Sequence, residues 1–189
     1  MSDTTMREAI LTALPKEMIS KYQEVFDCLR KLNNITELSF DIYQPQAYMY
    51  HSRLTYRVPI KETYVPQVED FKLDPKLYVV GLNSQVNQYE NNHIILIDFD
   101  GTELKMMEQW LWDYGLHGWL FMSGKSYHFV GNEVMSQDRW RLLMEELAKK
   151  KPEFICSEFI KWSLLRNYGT LRFTKNPIKP KAPVFVKEV

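Results

Sequence analysis

Two aspartates one residue apart, Asp98 and Asp100, follow an unbroken apolar run in the middle of the chain, HIILIDFDGT. The apolar run predicts a buried strand. Because side chains alternate along a strand, both carboxylates should lie on one face and Phe99 on the other. Two carboxylates this close repel each other unless a cation separates them, and oxygen ligands suit Mg²⁺ or Mn²⁺. The pair is therefore either a metal site or two solvated carboxylates before a helix that Thr102 caps.

A second polar segment, FMSGKSYHF (121–129), follows one predicted helix and part of a strand later. Ser123, Lys125 and His128 surround Gly124, where the backbone can come close to an anion. Hydroxyl, ammonium and imidazole groups all supply hydrogen bonds to phosphate oxygens. The segment predicts a phosphate-binding site, and the alternative is a hairpin with an incidental histidine.

The C-terminal quarter of the chain is basic, although the formal net charge of the whole chain is zero. Residues 149–189 contain ten Lys or Arg and three Glu. An excess of positive charge in one part of the chain favours phosphate ligands. The alternative is a basic tail that is only solvated. The residues available to contact a triphosphate or a template strand are Arg166, Arg172, Lys175, Lys179 and Lys181. Arg172 is the strongest candidate, since the predicted strand GTLRFT can direct its side chain.

The elements that must position these residues have an α+β order. The patterns predict a helix at 16–32, strands at 37–43, 47–60 and 77–82, and a connecting loop at 61–76. From residue 93 the predicted order is strand, helix, two strands, two helices and a strand. We expect an RRM-like core sheet with packed helices, rather than a doubly wound sheet, plus an N-terminal helix and strand unit. The predicted units are 1–76 and the catalytic core 77–189, packed as one globular body.

Composition argues against several protein classes. The two cysteines, Cys28 and Cys156, have no CxxC spacing, so neither a zinc site nor a disulfide framework is expected. The N-terminus does not resemble a signal peptide, and no apolar run approaches the ~20 residues that span a bilayer. We expect a soluble protein of the cytoplasm or another intracellular compartment. The tryptophans at 110, 112 and 119 are interpreted as packing residues rather than base-stacking surfaces.

Together, IDFDG and SGKSYH resemble the first two motifs of the archaeo-eukaryotic primase superfamily, the primase-polymerases. In these proteins a strand ends in Asp-x-Asp or Asp-x-Glu, and Ser-x-His or Ser-Gly-x-Gly-x-His follows one helix and one strand later. The resemblance covers residues 77–187. It implies that Asp98 and Asp100 are catalytic metal ligands, and that nucleotide contacts come from Ser123, Lys125, His128, Arg172 and Lys175.

The third motif of that superfamily, a hydrophobic residue followed by Asp, is altered here. The segment 152–183 resembles the region, but Ile155, Cys156 and Ser157 stand where the Asp is expected. Either Glu158 is the third metal ligand, or the site is incomplete. Two-metal phosphoryl transfer requires carboxylates that hold both ions about 4 Å apart, whereas two aspartates can hold one nucleotide-bound ion.

The resemblance implies a metal-dependent nucleotidyltransferase of the DNA primase or polymerase type. It would use Mg²⁺ or Mn²⁺, nucleoside triphosphates and a DNA or RNA template, with a helicase or another replication protein as partner. A second hypothesis is a catalytically degraded relative that binds nucleotide or nucleic acid. A third is a haloacid-dehalogenase-type phosphatase, because ILIDFDGT resembles its nucleophile motif, with Asp98 as nucleophile. The downstream acidic pair of that family is missing, since Asp113 and Asp138 each stand alone.

Overall fold

The computed structural model describes residues 24, 27–32, 34–45, 53–60, 68–87, 90–101, 103–150, 152–175, 177 and 180–189. The strands are β1 Glu37–Tyr43, β2 Leu54–Pro59, β3 Val79–Val86, β4 Asn92–Phe99, β5 Gly118–Ser123, β6 Ser126–Ser136, β7 Thr170–Arg172 and β8 Val184–Glu188. The α-helices are α1 Leu104–Asp113, α2 Gln137–Lys150 and α3 Ser157–Arg166, and a 3-10 helix spans Val68–Phe71. Within the described residues, the predicted order from β4 to β7 is confirmed.

The strands form one sheet in the order β2-β1-β3-β4-β6-β5-β8, and β7 pairs with β3 outside this path. Every pairing among the described strands is antiparallel. An antiparallel sheet with packed helices is the predicted α+β arrangement, which is confirmed. The proposed boundary between units at 76 and 77 stays a prediction. Strand β1 of the first unit pairs directly with β3 of the second.

Strand β4 is apolar throughout because both of its faces are covered. Ile94 and Leu96 belong to a core cluster that also contains residues of β1, β3 and β5. Ile97 and Phe99 belong to a second cluster, with apolar residues of α1, α2 and α3. A strand buried on both faces reads as a continuous apolar run instead of an alternating one. The alternation directs Asp98 away from Phe99, as expected from the sequence.

Strand β7 reaches the sheet at the place where β3 and β4 separate. Gln85 and Val86 of β3 pair with β4, whereas the stretch 81–83 pairs with β7. Gly81 lies opposite Arg172, and a Cβ atom at Gly81 would lie 2.8 Å from the carbonyl oxygen of Leu171. The glycine therefore permits the close approach that sets the position of Arg172.

A buried carboxylate, Asp41, connects β1 to its neighbours. It is fully buried and accepts hydrogen bonds from Thr55 at 2.9 Å, Asn83 at 3.0 Å and Thr170 at 2.5 Å. Arg53 forms an ion pair with it at 3.4 Å. A buried charge with this many partners is stabilised, and its hydrogen bond from Thr170 connects β1 to β7 across β3.

The N-terminal predictions fall partly outside the described residues. Of the helix predicted at 16–32, residue 24 and the stretch 27–32 are described, and 24 and 27–30 are helical. Of the strand predicted at 47–60, residues 54–59 form β2, whereas 46–52 lie outside the described part. Strand β8 was not predicted from the sequence.

Candidate functional site

Asp98 and His128 lie side by side on neighbouring strands. They are direct partners in the register of β4 and β6, and His128 Nε2 is 3.5 Å from Asp98 Oδ1. The histidine side chain is 8% exposed, whereas the Asp98 side chain is 31% exposed. On β5, Phe121 pairs with His128 and so occupies the other side of the histidine. The histidine is therefore held in place while the carboxylate remains accessible to a ligand.

Asp100 follows the last residue of β4 and is exposed. Its backbone N–H donates a hydrogen bond to the carbonyl of Phe154 at 2.9 Å. The N–H of Cys156 donates to the carbonyl of Asp98, also at 2.9 Å. These two bonds fix the segment 154–156 antiparallel to the end of β4. Both aspartates of the first motif therefore lie next to the segment in which the superfamily pattern has a third carboxylate.

Within the segment 154–156, the side chain of Cys156 lies beside Asp98 and Asp100. Burial raises the pKa of Cys156 to about 11, and the negative charges of Asp98 and Asp100 contribute to the rise, together with a hydrogen bond to Asp100. A thiol with so high a pKa is neutral at physiological pH. Cys156 therefore places an uncharged group beside the two carboxylates.

Glu158, the alternative third ligand, lies in the first turn of α3. Its carboxylate oxygens accept hydrogen bonds from Lys161 at 3.2 and 3.3 Å. Glu158 and Asp100 line the same pocket, of about 410 Å³. No group of three or more His, Cys, Asp and Glu side chains within the described parts of the chain is arranged to hold a metal ion. The role of Glu158 as a ligand stays a prediction.

Arg172 of β7 is 9% exposed, and its guanidinium connects three parts of the chain. It donates hydrogen bonds to Ser123 Oγ at 3.1 Å, to the carbonyl of Lys181 at 3.0 Å and to the carbonyl of Thr174. Ser123 ends β5, two residues after Phe121 and therefore on the same face of the sheet as His128. The structure thus brings Arg172 and Ser123, predicted separately from the sequence, into direct contact.

The Ser123 and Arg172 side chains line a pocket of about 360 Å³. Its other lining residues are Gly124, Lys125, Ser126, Pro180 and Lys181. Gly124 has a φ of 78°, which glycine adopts without strain in the tight turn between β5 and β6. Cationic and hydroxyl groups around one cavity are the chemistry that binds an anion such as phosphate. Lys175 is exposed and is not among the lining residues, and Lys179 lies outside the described residues.

Tyr43, the last residue of β1, was not among the site residues predicted from the sequence. Burial raises the pKa of Tyr43, the positive charges of Arg53 and Arg172 oppose the rise, and the negative charge of Asp98 adds to it. Tyr43 is therefore close enough to Arg172 and Asp98 to sense both charges. A local pattern was available, since Ser39, Asp41 and Tyr43 alternate with apolar residues, but it does not identify their neighbours.

The three tryptophans have different surroundings. Trp119 is 1% exposed in the core. Trp110 lies 6.2 Å from Phe99 in an edge-to-face arrangement, and 4.4 Å from the ring of Tyr114. Trp112 is 72% exposed on α1. The packing interpretation therefore holds for the first two and not for Trp112.

Residues 67–184 match the archaeo-eukaryotic primase 1D-like family. Since the match covers more than half of the chain, the protein belongs to this primase-like family. The resemblance inferred from the two motifs is confirmed. Family membership and the antiparallel sheet both favour the primase-like assignment over the phosphatase hypothesis.

Among solved structures, the fold is similar to that of primase RepB′, with a TM-score of 0.59 and 10% sequence identity. The similarity covers 90% of this chain and 56% of the RepB′ chain, so the protein spans little more than half the length of that relative. At 10% sequence identity, this similarity is evidence for the fold alone. No curated protein matches the chain. No helix in the described ranges is long and apolar enough to cross a membrane.

Proposed function

We propose that the protein binds a nucleoside triphosphate together with Mg²⁺ or Mn²⁺, and transfers the nucleotidyl group to a 3′-hydroxyl group. The hydroxyl oxygen bonds to the α-phosphate, and pyrophosphate leaves. The observation that carries the proposal is the continuity of the Asp98–His128 pair with the Ser123–Arg172 pocket on one face of the sheet. Membership of a primase-like family supports this type of reaction.

In this proposal, the triphosphate lies in the pocket that Ser123 and Arg172 line. Lys125 and Lys175 supply further positive charge from exposed positions, and His128 contacts a phosphate oxygen at the Asp98 end. Charge-assisted hydrogen bonds to phosphate are stronger than neutral ones. The protein's contribution to transfer would then be positioning and the neutralisation of charge on the phosphates.

Asp98 and Asp100 would hold the cation, which supplies charge neutralisation at the reacting phosphate when it is bound. Two carboxylates suit an ion whose remaining ligands come from the triphosphate and water. Cys156 stands beside them in place of a third carboxylate, so the proposal assigns Asp98 and Asp100 to one such ion. A template of DNA or RNA and a helicase or other replication partner belong to the same proposal.

A second candidate function is nucleotide binding without transfer. It is favoured by the position of Cys156, because a neutral side chain occupies the place beside Asp98 and Asp100 where the superfamily pattern has a carboxylate. The two functions share a binding site and differ in the chemical step. Extension of a labelled primer separates them, since only the transferase lengthens it.

The proposal is tested by calorimetric titration of ATP and deoxynucleoside triphosphates into the wild-type protein, with Mn²⁺, with Mg²⁺ and with a chelator. Binding that requires a divalent cation is the expected result. Absence of binding with either cation would contradict both candidate functions for the isolated chain. Binding with no primer extension would leave the second candidate.

Cys156→Asp should raise the affinity of the site for Mn²⁺ about tenfold or more, because affinity for hard cations increases with the number of anionic ligands. The added carboxylate would stand beside Asp98 and Asp100. Without metal, three close carboxylates repel one another, so the variant should unfold at a lower temperature than wild type. Added Mn²⁺ should restore the unfolding temperature. Calorimetry and thermal unfolding measure both effects.

Cys156→Asn is the matched control, because it changes the shape in the same way and adds no charge. It should bind Mn²⁺ with wild-type affinity, and its unfolding temperature should respond to Mn²⁺ as the wild type does. Equal Mn²⁺ affinities for the Asp and Asn variants would show that residue 156 does not face the cation.

A further inference from the structure

His93 is a fully buried histidine on β4 that does not belong to the candidate site. Its ring stacks on the ring of Trp140 on α2, with the ring centroids 4.6 Å apart. Both ring nitrogens have a hydrogen-bond partner. Nδ1 lies 3.0 Å from Ser84 Oγ on β3, and Nε2 lies 2.7 Å from Gln137 Oε1 at the start of α2. A buried polar ring with both nitrogens bonded therefore connects three elements.

The partners of His93 assign its protonation state. The Gln137 side chain uses its Nε2 to donate to the carbonyl of Asn167 at 3.4 Å, so its Oε1 faces the ring and accepts from His93 Nε2. On the other side, Ser84 Oγ accepts the backbone N–H of Gly169 at 3.0 Å and has its own hydrogen left to donate. His93 Nδ1 accepts that hydrogen. The ring is therefore neutral, with its hydrogen on Nε2.

Both hydrogen-bonded paths from His93 end on the α3–β7 turn, which consists of residues 167–169. The path through Ser84 ends on Gly169, whose carbonyl also accepts the backbone N–H of Ser84 at 2.9 Å. The path through α2 ends on Asn167, the residue that caps α3 with a φ of 62°. The imidazole ring therefore fixes this turn at both of its ends.

The α3–β7 turn leads directly into β7, a strand of three residues that ends at Arg172. Thr170, the first residue of β7, pairs with β3 directly beside the two bonds that hold the turn. Arg172 donates to Ser123 Oγ at 3.1 Å, and both side chains line the pocket of about 360 Å³. A strand this short makes few ladder bonds of its own, so its position depends on the bonds at its start.

We propose that neutral His93 is a positioning residue for the pocket that Ser123 and Arg172 line. Its ring holds the Ser84 and Gln137 side chains in the orientation that fixes the α3–β7 turn, and the turn sets where β7 presents the Arg172 guanidinium. His93 touches no ligand in this proposal. The part that concerns triphosphate binding rests on the proposed function, whereas the placement of β7 does not.

A proton on Nδ1 of His93 would disrupt this arrangement, because the Ser84 hydroxyl would lose its acceptor and a charge would be buried. Burial lowers the pKa of His93, and the hydrogen bond to Gln137 opposes the decrease. No charged side chain of the described residues contributes to this pKa. Strand β3 has none. Those on β6, the start of α2 and the end of α3 with its turn are exposed or partly exposed: Glu133, Asp138, Arg139, Arg141, Arg166 and Tyr168.

The first test is hydrogen exchange of the backbone amides of 169–173. His93→Phe keeps a ring on Trp140 and removes both hydrogen bonds, so exchange in this segment should become at least about tenfold faster relative to β5 and β6. Ser84→Ala should have the same effect although the histidine remains. In a chelator, both variants should bind inorganic tripolyphosphate about tenfold more weakly than the wild type, because Arg172 is displaced.

His93→Asn is the rescue variant, because its amide oxygen can accept from Ser84 in the place of Nδ1. It should retain much of the protection from exchange and of the tripolyphosphate affinity. His117→Asn is the matched control, since His117 is exposed and its ring lies 6.1 Å from that of Trp112 on α1. This control should exchange and bind as the wild type does.

The pH profile gives a readout that a merely space-filling ring would not change. The unfolded chain takes up a proton at His93 near pH 6.5 and the folded chain only at lower pH, so stability that is present above pH 6.5 is lost as the pH falls. At pH 5.5, the unfolding equilibrium constant of the wild type relative to His93→Asn should be about threefold to tenfold higher than at pH 7.5. Urea denaturation at the two pH values measures it, and all other titrating groups are common to both proteins.

Three outcomes would overturn the inference. The first is wild-type exchange of 169–173 in both His93→Phe and Ser84→Ala. The second is an identical pH dependence of stability in the wild type and His93→Asn. The third is faster exchange without any loss of tripolyphosphate affinity. If the wild type binds neither tripolyphosphate nor a nucleoside triphosphate, the proposed function fails, and the exchange and pH measurements still decide whether His93 places β7.

Discussion

Replacing Asp98 and Asp100 together by asparagine should abolish metal-dependent binding of a nucleoside triphosphate. Asparagine keeps the shape of each side chain and removes two negative charges. A pair of unit charges about 4 Å apart near a protein surface interacts by roughly 4 kcal/mol, before the cost of desolvation is subtracted. A loss of affinity of at least about 100-fold is therefore expected. Calorimetric titration of ATP with Mn²⁺ into the two proteins measures it.

The same substitution should not destabilise the protein in a chelator. Wild-type Asp98 and Asp100 repel each other when no cation separates them, and asparagine relieves this repulsion. The variant should therefore unfold at the wild-type temperature or above. Asp113→Asn is the control, since its exposed carboxylate accepts a hydrogen bond from Gln109 on α1, away from the site. Nucleotide binding that still depends on Mn²⁺ in the double variant would show that other groups hold the cation.

The central part of the fold could be predicted from the sequence because its signals are local. An apolar run, a helical period and two strands around Gly124 specify β4, α1, β5 and β6, which are consecutive in the chain. The side-chain alternation then placed Asp98 and Phe99 on opposite faces. The register of β4 and β6 adds the contact between Asp98 and His128, which follows once the two strands are neighbours.

Strand β8 and the position of β7 could not be predicted in the same way. Strand β8 follows Pro180 and Pro183, a composition typical of a loop, and it becomes a strand because it pairs with β5. Strand β7 was predicted as a strand, but its partner β3 depends on Gly81 and on the bond from Thr170 to Asp41. Contacts between residues so distant in the chain leave no periodic signal.

The candidate site residues also fall into two groups: those with a local sequence signal and those whose positions depend on contacts between distant parts of the chain. Asp98, Ser123 and His128 were found because each motif is a short segment, and Arg172 because its strand could be recognised. Tyr43 was not among the predicted site residues, because its relation to Arg172 arises only when β1 and β7 pair with opposite edges of β3. The place of Cys156 beside Asp98 and Asp100 also required the structure, since the sequence shows only that Ile155, Cys156 and Ser157 stand where the superfamily pattern has an Asp.

Arg172→Ala should reduce both the stability of the protein and its affinity for triphosphate. The substitution removes the donors to the carbonyls of Thr174 and Lys181 and to Ser123 Oγ. Each buried acceptor left without a donor costs about 1–3 kcal/mol, so the free energy of unfolding should fall by roughly 2–4 kcal/mol. Loss of the cation from the pocket should weaken triphosphate binding about tenfold or more. Urea denaturation and calorimetry measure the two effects.

Arg172→Lys separates the two roles. Lysine keeps the positive charge but presents it at one point, and it cannot reproduce the planar set of donors that reaches three acceptors. It should therefore recover much of the affinity and little of the stability. Arg139→Ala, in which an exposed ion pair with Glu133 is lost, should change the free energy of unfolding by about 1 kcal/mol or less. If Arg172→Ala is destabilised but binds triphosphate as tightly as the wild type, Arg172 acts through the position of Ser123 and the segment after β7, and the pocket's cations are Lys125 and Lys181.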